Sequence, residues 1–161
     1  MVPPETLKHL QFLQDFSDDH LRQLAEMAQL KEFPADEVVF REGQLSASVY
    51  LVVQGNVALE FRVPTRGRMQ FQTVSAGELL GWTAVLGPGP MTATALVQTP
   101  STLLVLNAAQ IRAWCAGDPS FGSAFMQHLA RALATRLSAT RLLLMDLYRE
   151  DQLPARQDQI A

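Results

Sequence analysis

Residues 42–63, EGQLSASVYLVVQGNVALEFRV, decide the fold class. Val57, Leu59, Phe61 and Val63 alternate with Ala58, Glu60 and Arg62. A period of two puts the apolar set on one face, as in a half-buried strand. Upstream, the apolar run VYLVV (49–53) lies between the turn-like REGQLSAS (41–48) and the turn QGN (54–56), and VVF (38–40) precedes both. Downstream, PTRG (64–67) turns the chain into RMQFQTV (68–74). TATALVQ (92–98) and STLLVL (101–106) then read as two strands separated by TP. Strands of this length at this spacing over 38–106 predict an antiparallel barrel or sandwich.

Helical patterns flank the strands. PPETLKHLQFL (3–13) aligns Leu7, Leu10 and Leu13, with prolines suited to a first turn. Ser17 is a candidate N-cap, followed by acidic residues and by a stripe of Leu21, Leu24 and Met27 or Ala28. Helices are therefore expected within 4–30. Beyond the strands, Asn107 is placed to cap a short helix over 108–117, and Asp118-Pro119 supplies a cap and an N1 proline for a long helix over 119–149. The class is α+β, mainly β.

Along the long helix Phe121, Phe125, Leu129, Leu133, Leu137, Thr140, Leu144 and Leu147 recur at steps of three or four, and Met126, Ala130, Leu142 and Met145 widen the stripe. So wide an apolar face calls for a second surface. A homodimer is expected, with Phe125, Leu129, Leu133, Leu137 and Leu144 as its contacts. The remainder, 150–161, reads as a polar tail, and one domain accounts for residues 1–149.

Composition narrows the function. A net charge of −3 argues against a general nucleic-acid surface, which needs cations to neutralise phosphates. A single cysteine, Cys115, excludes an internal disulfide. The start MVPPETLKHL has no charged-then-apolar signal, and the long helix carries arginines throughout, so neither secretion nor a membrane span is expected and the cytoplasm is the default. His9, His20 and His128 fall in helical segments without HxH or HxxxH spacing, so no metal site is expected, and no serine elbow or P-loop appears. The chain is read as a non-enzyme.

The remaining feature is GELLGWTAVLGPGPMTATA, residues 77–95: a glycine turn, one turn of helix, a Pro/Gly loop and a small-residue strand. It has the outline of a phosphate cradle. Yet no Arg or Lys occurs between Arg68 and Arg112.

With the order helix, barrel, short helix, long helix, and with Gly43, Gly55, Gly77 and Gly81 at the turns, the chain from about Leu7 to Tyr148 resembles the cyclic nucleotide-binding domain of the catabolite activator and protein kinase regulatory subunit family. The resemblance implies an antiparallel β-roll of the jelly-roll type and a phosphate-binding cassette. In the family that cassette reads Gly-Glu, a short helix, then Pro-Arg-x-Ala-Thr. Here the same frame reads Gly81-Trp82, TAVL, then Pro90-Met91-Thr92-Ala93-Thr94. The family's Arg bonds the cyclic phosphate and its Glu accepts from the ribose 2′-hydroxyl. Trp82 and Met91 offer neither group.

Hydrogen bonds to charged groups contribute roughly 1.5–3 kcal/mol each, so losing two weakens a cyclic nucleotide on the order of a hundredfold to ten-thousandfold. Cyclic AMP and cyclic GMP are therefore disfavoured, although Gly81, Thr83 and Thr92 could still hold a weaker anion. The resemblance implies a regulatory or sensor module with a small-molecule effector or a protein partner. The alternatives are a ligand-free dimerisation module, in which Trp82 and Met91 fill the cassette, and atypical cyclic nucleotide binding.

Thr140 falls where family members contact the base, though bonding to its own helix backbone explains it as well. Arg62, Arg66 and Arg68 are expected to face solvent. Arg131, Arg136 and Arg141 spiral around the long helix, and the sequence does not choose between Glu78 and a partner chain as the mate of any one of them. The segment REDQLPARQDQIA (149–161) carries no helix-turn-helix pattern, so direct DNA binding by this chain is not expected.

Overall fold

The computed structural model describes residues 2–87 and 89–152, with side chains through residue 150. A helix α1 (Pro4–Lys8), a 3-10 turn (Gln11–Leu13) and a helix α2 (Asp18–Met27) lead into the sheet. The Ser17 side chain accepts the backbone N–H of His20 at 3.1 Å, the cap that starts α2.

Six strands follow: β1 (Gln29–Phe33), β2 (Val38–Phe40), β3 (Ser48–Val63), β4 (Gly67–Ser75), β5 (Leu79–Leu80) and β6 (Thr94–Asn107). All pairings are antiparallel, in the order β1-β6-β3-β4, with β2 on β6 and β5 on β3. This is the mainly antiparallel β-roll with flanking helices that the sequence implies.

Three boundaries in and just before the sheet differ from expectation. Residues 29–30 belong to β1 and not to the N-terminal helices; α2 stops because Ala28 is already extended. β1 is an edge strand with only Phe33 buried, so it carries no apolar alternation to read. QGN does not end a strand, and TP does not separate two. β3 and β6 each run unbroken through those residues and bend there, with register shifts around Gln54 and Asn56.

Gly55 makes the bend feasible. It sits at φ +106, and a Cβ on it would lie 2.0 Å from the Ser101 hydroxyl oxygen. That hydroxyl accepts the Asn56 N–H at 3.2 Å and donates to the Thr99 carbonyl at 2.7 Å, so the bent ladder leaves no orphan there.

Two cores result. The barrel interior holds Phe40, Val52, Val57, Leu59, Val74, Met91 and Leu103, while the other core lies between the sheet and the helices and includes Leu7, Leu24, Leu51, Leu104, Ile111, Phe121 and Phe125. Between β5 and β6 sits a single helical turn, α3 (Thr83–Leu86), and after β6 come α4 (Ala108–Gly117) and the long α5 (Pro119–Gln152). Asn107 caps α4 by accepting the Gln110 N–H at 3.0 Å.

The corner between α4 and α5 is tightly built. Trp114 and Phe121 stack with centroids 3.5 Å apart and planes 6° from parallel. A Cβ on Gly122 would meet the Cys115 carbonyl oxygen at 2.6 Å, so only glycine admits this approach. Burial pushes the Cys115 thiol up, the behaviour of a packed thiol and not of a nucleophile. Farther along α5, the His128 ring nitrogens lie 2.7 Å from the carbonyl oxygens of Ala124 and Gln14, tying the helix to the N-terminal segment.

Asp118 caps α5, accepting N–H groups from Ser120 at 3.1 Å and Phe121 at 3.2 Å. The Phe121 N–H bond holds its carboxyl below the usual aspartate range, with help from Trp114 and His20. A depressed folded value adds stability above the unfolded value of about 3.9, lost as pH falls through the folded one. Asp118→Asn should therefore lower the melting temperature at neutral pH and have progressively less effect below about pH 3.9. Melting curves across that range check this; a pH-independent effect would contradict it.

The long helix requires a correction. Phe125 is fully buried and Leu129 is 2% exposed, both within the chain's own core. They are not free to form dimer contacts, because the first three turns of α5 lie on α4 and the N-terminal segment. Leu133 is half-buried against the same core, whereas Leu137 and Leu144 are exposed at 61% and 66%. The expected face survives only from about Leu137 onward, joined there by Leu142, Met145 and Tyr148. Of the expected polar tail 150–161, residues 150–152 continue α5, and residues 153–161 lie outside the described residues.

Candidate functional site

The cassette segment takes its shape from backbone pairing. Gly81 adopts φ +83, and a Cβ there would touch Phe40 and Tyr50 at 3.4 Å and Met91 at 3.6 Å. The turn of α3 buries Ala84 and Val85 into the helical core. On the far side of the Pro/Gly loop, the Met91 N–H donates to the Gln44 carbonyl and the Met91 carbonyl accepts from Gly43, both at 2.8 Å. Those paired bonds hold Met91 against the 41–44 loop, and its side chain, 3% exposed, joins the barrel interior.

A cavity of about 210 Å³ opens beside this segment. Gly81, Trp82, Thr83, Met91, Thr92 and Ala93 line it, so the structure brings six of the seven expected cassette residues together. Thr94 is the exception and is corrected. Its hydroxyl accepts the Glu42 N–H at 2.9 Å, while the Glu42 carboxylate accepts the Arg62 N–H at 3.0 Å. Thr94 thus braces the 41–44 loop and faces an outer groove with Arg41, Arg62 and Arg68. Trp82 and Met91 do not close the cavity. Trp82 is half-buried against the helical core while Met91 packs in the barrel, and space remains between the two.

The opposite wall is α5. Leu133, Arg136, Leu137 and Thr140 line the cavity, together with Phe40, Leu59, Phe71 and Gln72 from the sheet. Thr140 reaches the site, and its hydroxyl donates to the Arg136 carbonyl at 2.8 Å, as the backbone-bonded reading expects.

This helix brings a charge to the cavity wall. Arg136 is 9% exposed and is the one charged residue lining the cavity among the described residues. Burial pulls its guanidinium below the ordinary arginine value, and the Glu78 carboxylate opposes that shift. No ion pair accompanies the burial: the pairs among the described residues are Lys8–Glu5, Lys8–Asp18, His20–Asp118 and Arg22–Asp19. Glu78 instead accepts the Ser75 N–H at 3.0 Å and lines a second cavity that Arg136 also borders. The spiral of three arginines could not single out Arg136, since its burial depends on how far α5 lies across the roll.

Gln72 is the other residue that sequence reading passed over. Its side-chain oxygen is buried without a hydrogen-bond partner, on the strand position opposite Leu59, and both residues line the cavity. The cavity also has a mechanical link to the helical layer. The Arg112 guanidinium of α4 donates to the Ala84 carbonyl of α3, so the cassette turn and the α4–α5 corner are bonded to each other.

Among the described residues no helix is long and apolar enough to cross a membrane.

The family described as the cyclic nucleotide-binding domain matches residues 30–118. A CRP-like cAMP-activated global transcriptional regulator of Mycobacterium tuberculosis is 28% identical over 144 residues, which cover 89% of this chain and 62% of that protein. This chain therefore spans less than two thirds of that relative's length. A cyclic nucleotide-binding domain from Methylobacillus flagellatus superposes with a TM-score of 0.76 at 22% identity, covering 94% of this chain and 83% of that one. The catabolite activator protein of Thermus thermophilus gives 0.70 at 24% identity, covering 86% and 63%. At these identities the two structures bear on the fold.

Proposed function

The chain belongs to the cyclic nucleotide-binding domain family, and from that premise we propose that it is a ligand-responsive regulatory module that does not hold cyclic AMP or cyclic GMP in the family's usual way. The observation that carries this reading is the cavity's charge arrangement. Where the family frame places Glu and Arg, this chain has Trp82 and Met91, and the cavity's charge comes from Arg136 on the long helix. A cyclic nucleotide there loses its ribose acceptor and its cassette guanidinium. The volume, about 210 Å³, also falls below the roughly 300–1,000 Å³ of sites for drug-sized ligands.

Regulation follows from the same wall. A ligand in this cavity touches α5 directly through Arg136, Leu137 and Thr140, and α3 through Thr83. Occupancy shifts the helix only by as much as the two helix positions differ in ligand affinity. The module works in the cytoplasm, as a homodimer joined through the exposed end of α5, and leaves DNA contact to other parts of a regulator or to partners.

Calorimetric and thermal titration with cyclic AMP and cyclic GMP tests the proposal. A ligand at a hundred times its dissociation constant adds about 2.7 kcal/mol. At about 2–4 °C per kcal/mol for a domain this size, that is a shift of roughly 5–10 °C. Neither nucleotide should produce it at micromolar concentration. A micromolar dissociation constant for either would overturn the reading.

The second reading, an interaction module with no ligand, is favoured by one observation. Leu137, Leu142, Leu144, Met145 and Tyr148 stand 57–66% exposed on one helix. Such a face is ordinarily covered by another chain.

A further inference from the structure

Arg136 and Gln72 present an unanswered pair of demands. A buried guanidinium without an ion-pair partner is costly, and proteins ordinarily answer it with an anion held by hydrogen bonds. Arg136 also lines the neighbouring cavity, where the carboxylates of Asp15 and Glu78 and the guanidinium of Arg131 lie; Glu78 acts on Arg136 electrostatically, but no carboxylate there forms an ion pair with it. The cassette cavity contains no carboxylate among its described lining residues, and Arg136 stands in it alone. Across from α5, the buried Gln72 oxygen accepts from nothing. Between them the walls are apolar and aromatic, with Phe40, Leu59, Phe71, Trp82, Met91 and Leu137.

We infer that this cavity takes a small organic monoanion with an apolar body and a hydroxyl or amino donor, Arg136 holding the anionic group and Gln72 accepting from the donor. Single charge follows from the single guanidinium. An organic body, as against free phosphate, follows from the apolar walls, which disfavour a fully hydrated ion. Small size follows from the volume. The two polar contacts set orientation while the apolar lining provides the buried area, the usual division in ligand sites. Because Arg136 belongs to α5, the group that binds the anion is also part of the element that would move. The inference rests on reading the cassette cavity as a ligand site, and it names the ligand class of that site.

The test uses 4-hydroxybenzoate and 3-hydroxybenzoate, with benzoate and methyl 4-hydroxybenzoate as comparators, by calorimetry on the full chain near pH 7. The hydroxy acids should bind, benzoate should bind more weakly, and the neutral ester weakest. Arg136→Gln should weaken the acids about tenfold to hundredfold and leave the ester unchanged. Arg136→Lys keeps the charge but loses the planar fork, and should fall between. Gln72→Leu should erase the advantage of the hydroxy acids over benzoate without weakening benzoate.

The proposal is overturned if the ester binds as tightly as the acids, if both Arg136 variants bind as the unaltered chain does, or if no acid binds at millimolar concentration. The ester comparison is made in the unaltered chain, so it stands even if a variant fails to fold. Hydrogen exchange of residues 133–144 separates this inference from the regulatory reading. Acid binding that leaves their protection unchanged would sink the regulatory reading and keep the ligand assignment. A neutral ligand that alone binds and alters protection would do the reverse.

Discussion

The double variant Trp82→Glu, Met91→Arg should bind cyclic AMP about a hundredfold more tightly than the unaltered chain. Two restored bonds to charged or ribose groups give on the order of a hundredfold to ten-thousandfold. The lower end is expected for two reasons visible in the site. Met91 is 3% exposed in the barrel interior, so a longer side chain must displace packed neighbours, at a cost of about 1–3 kcal/mol. A new guanidinium would also share the cavity with Arg136, a like charge that the carboxylate introduced at position 82 offsets only in part. Calorimetric titration of the folded variant measures the gain. If the variant folds and binds no better, Trp82 and Met91 do not occupy the family's Glu and Arg positions.

Phe125→Ala should destabilise the chain by about 3–5 kcal/mol, the range for emptying a buried aromatic site. The Phe125 ring is fully buried and packs 5.4 Å from Phe12 and 5.7 Å from Phe121, centroid to centroid. Urea unfolding at low protein concentration reads this without contribution from self-association. Leu144→Asp is its counterpart. Leu144 is 66% exposed, so the substitution should change chain stability by no more than about 0.5 kcal/mol, yet shift sedimentation toward monomer. The pattern fails if Phe125→Ala changes only the association state, or if Leu144→Asp leaves a dimer intact.

The contrast between those two residues shows what a helical repeat conveys. Periodicity places Phe125, Leu129, Leu137 and Leu144 on one stripe, and all of them are apolar for a reason. It does not say where along the stripe the chain's own core ends. That point is set by the tertiary reach of α4 and the N-terminal segment. Local signals fared better: Ser17, Asn107 and Asp118 cap the helices their neighbours predict, because a cap is chemistry between residues two or three apart.

Strand continuity was the harder feature. Gly55 and Pro100 look like punctuation, yet a bent strand and a turn use the same residues, and only pairing across β3 and β6 distinguishes them. In the site, the segment from Gly81 to Ala93 was legible as a cavity wall because it is contiguous. Arg136 and Gln72 were not. They meet the cassette only through the packing of α5 and the register of β4, which no local pattern encodes.

The α4–α5 corner has one more consequence. Stacked Trp114 and Phe121, the Gly122–Cys115 contact and the Asp118 cap join α4 and α5 into one unit that turns together about residue 118. α5 is then a lever whose fulcrum is that corner. Arg136 lies about 26 Å along it and the last described turn about 50 Å, at 1.5 Å per residue. A tilt that moves the guanidinium by a given amount moves the far end by about twice as much. Mechanical advantage, set by helix length alone, makes the exposed end the most sensitive reporter of what sits beside Trp82.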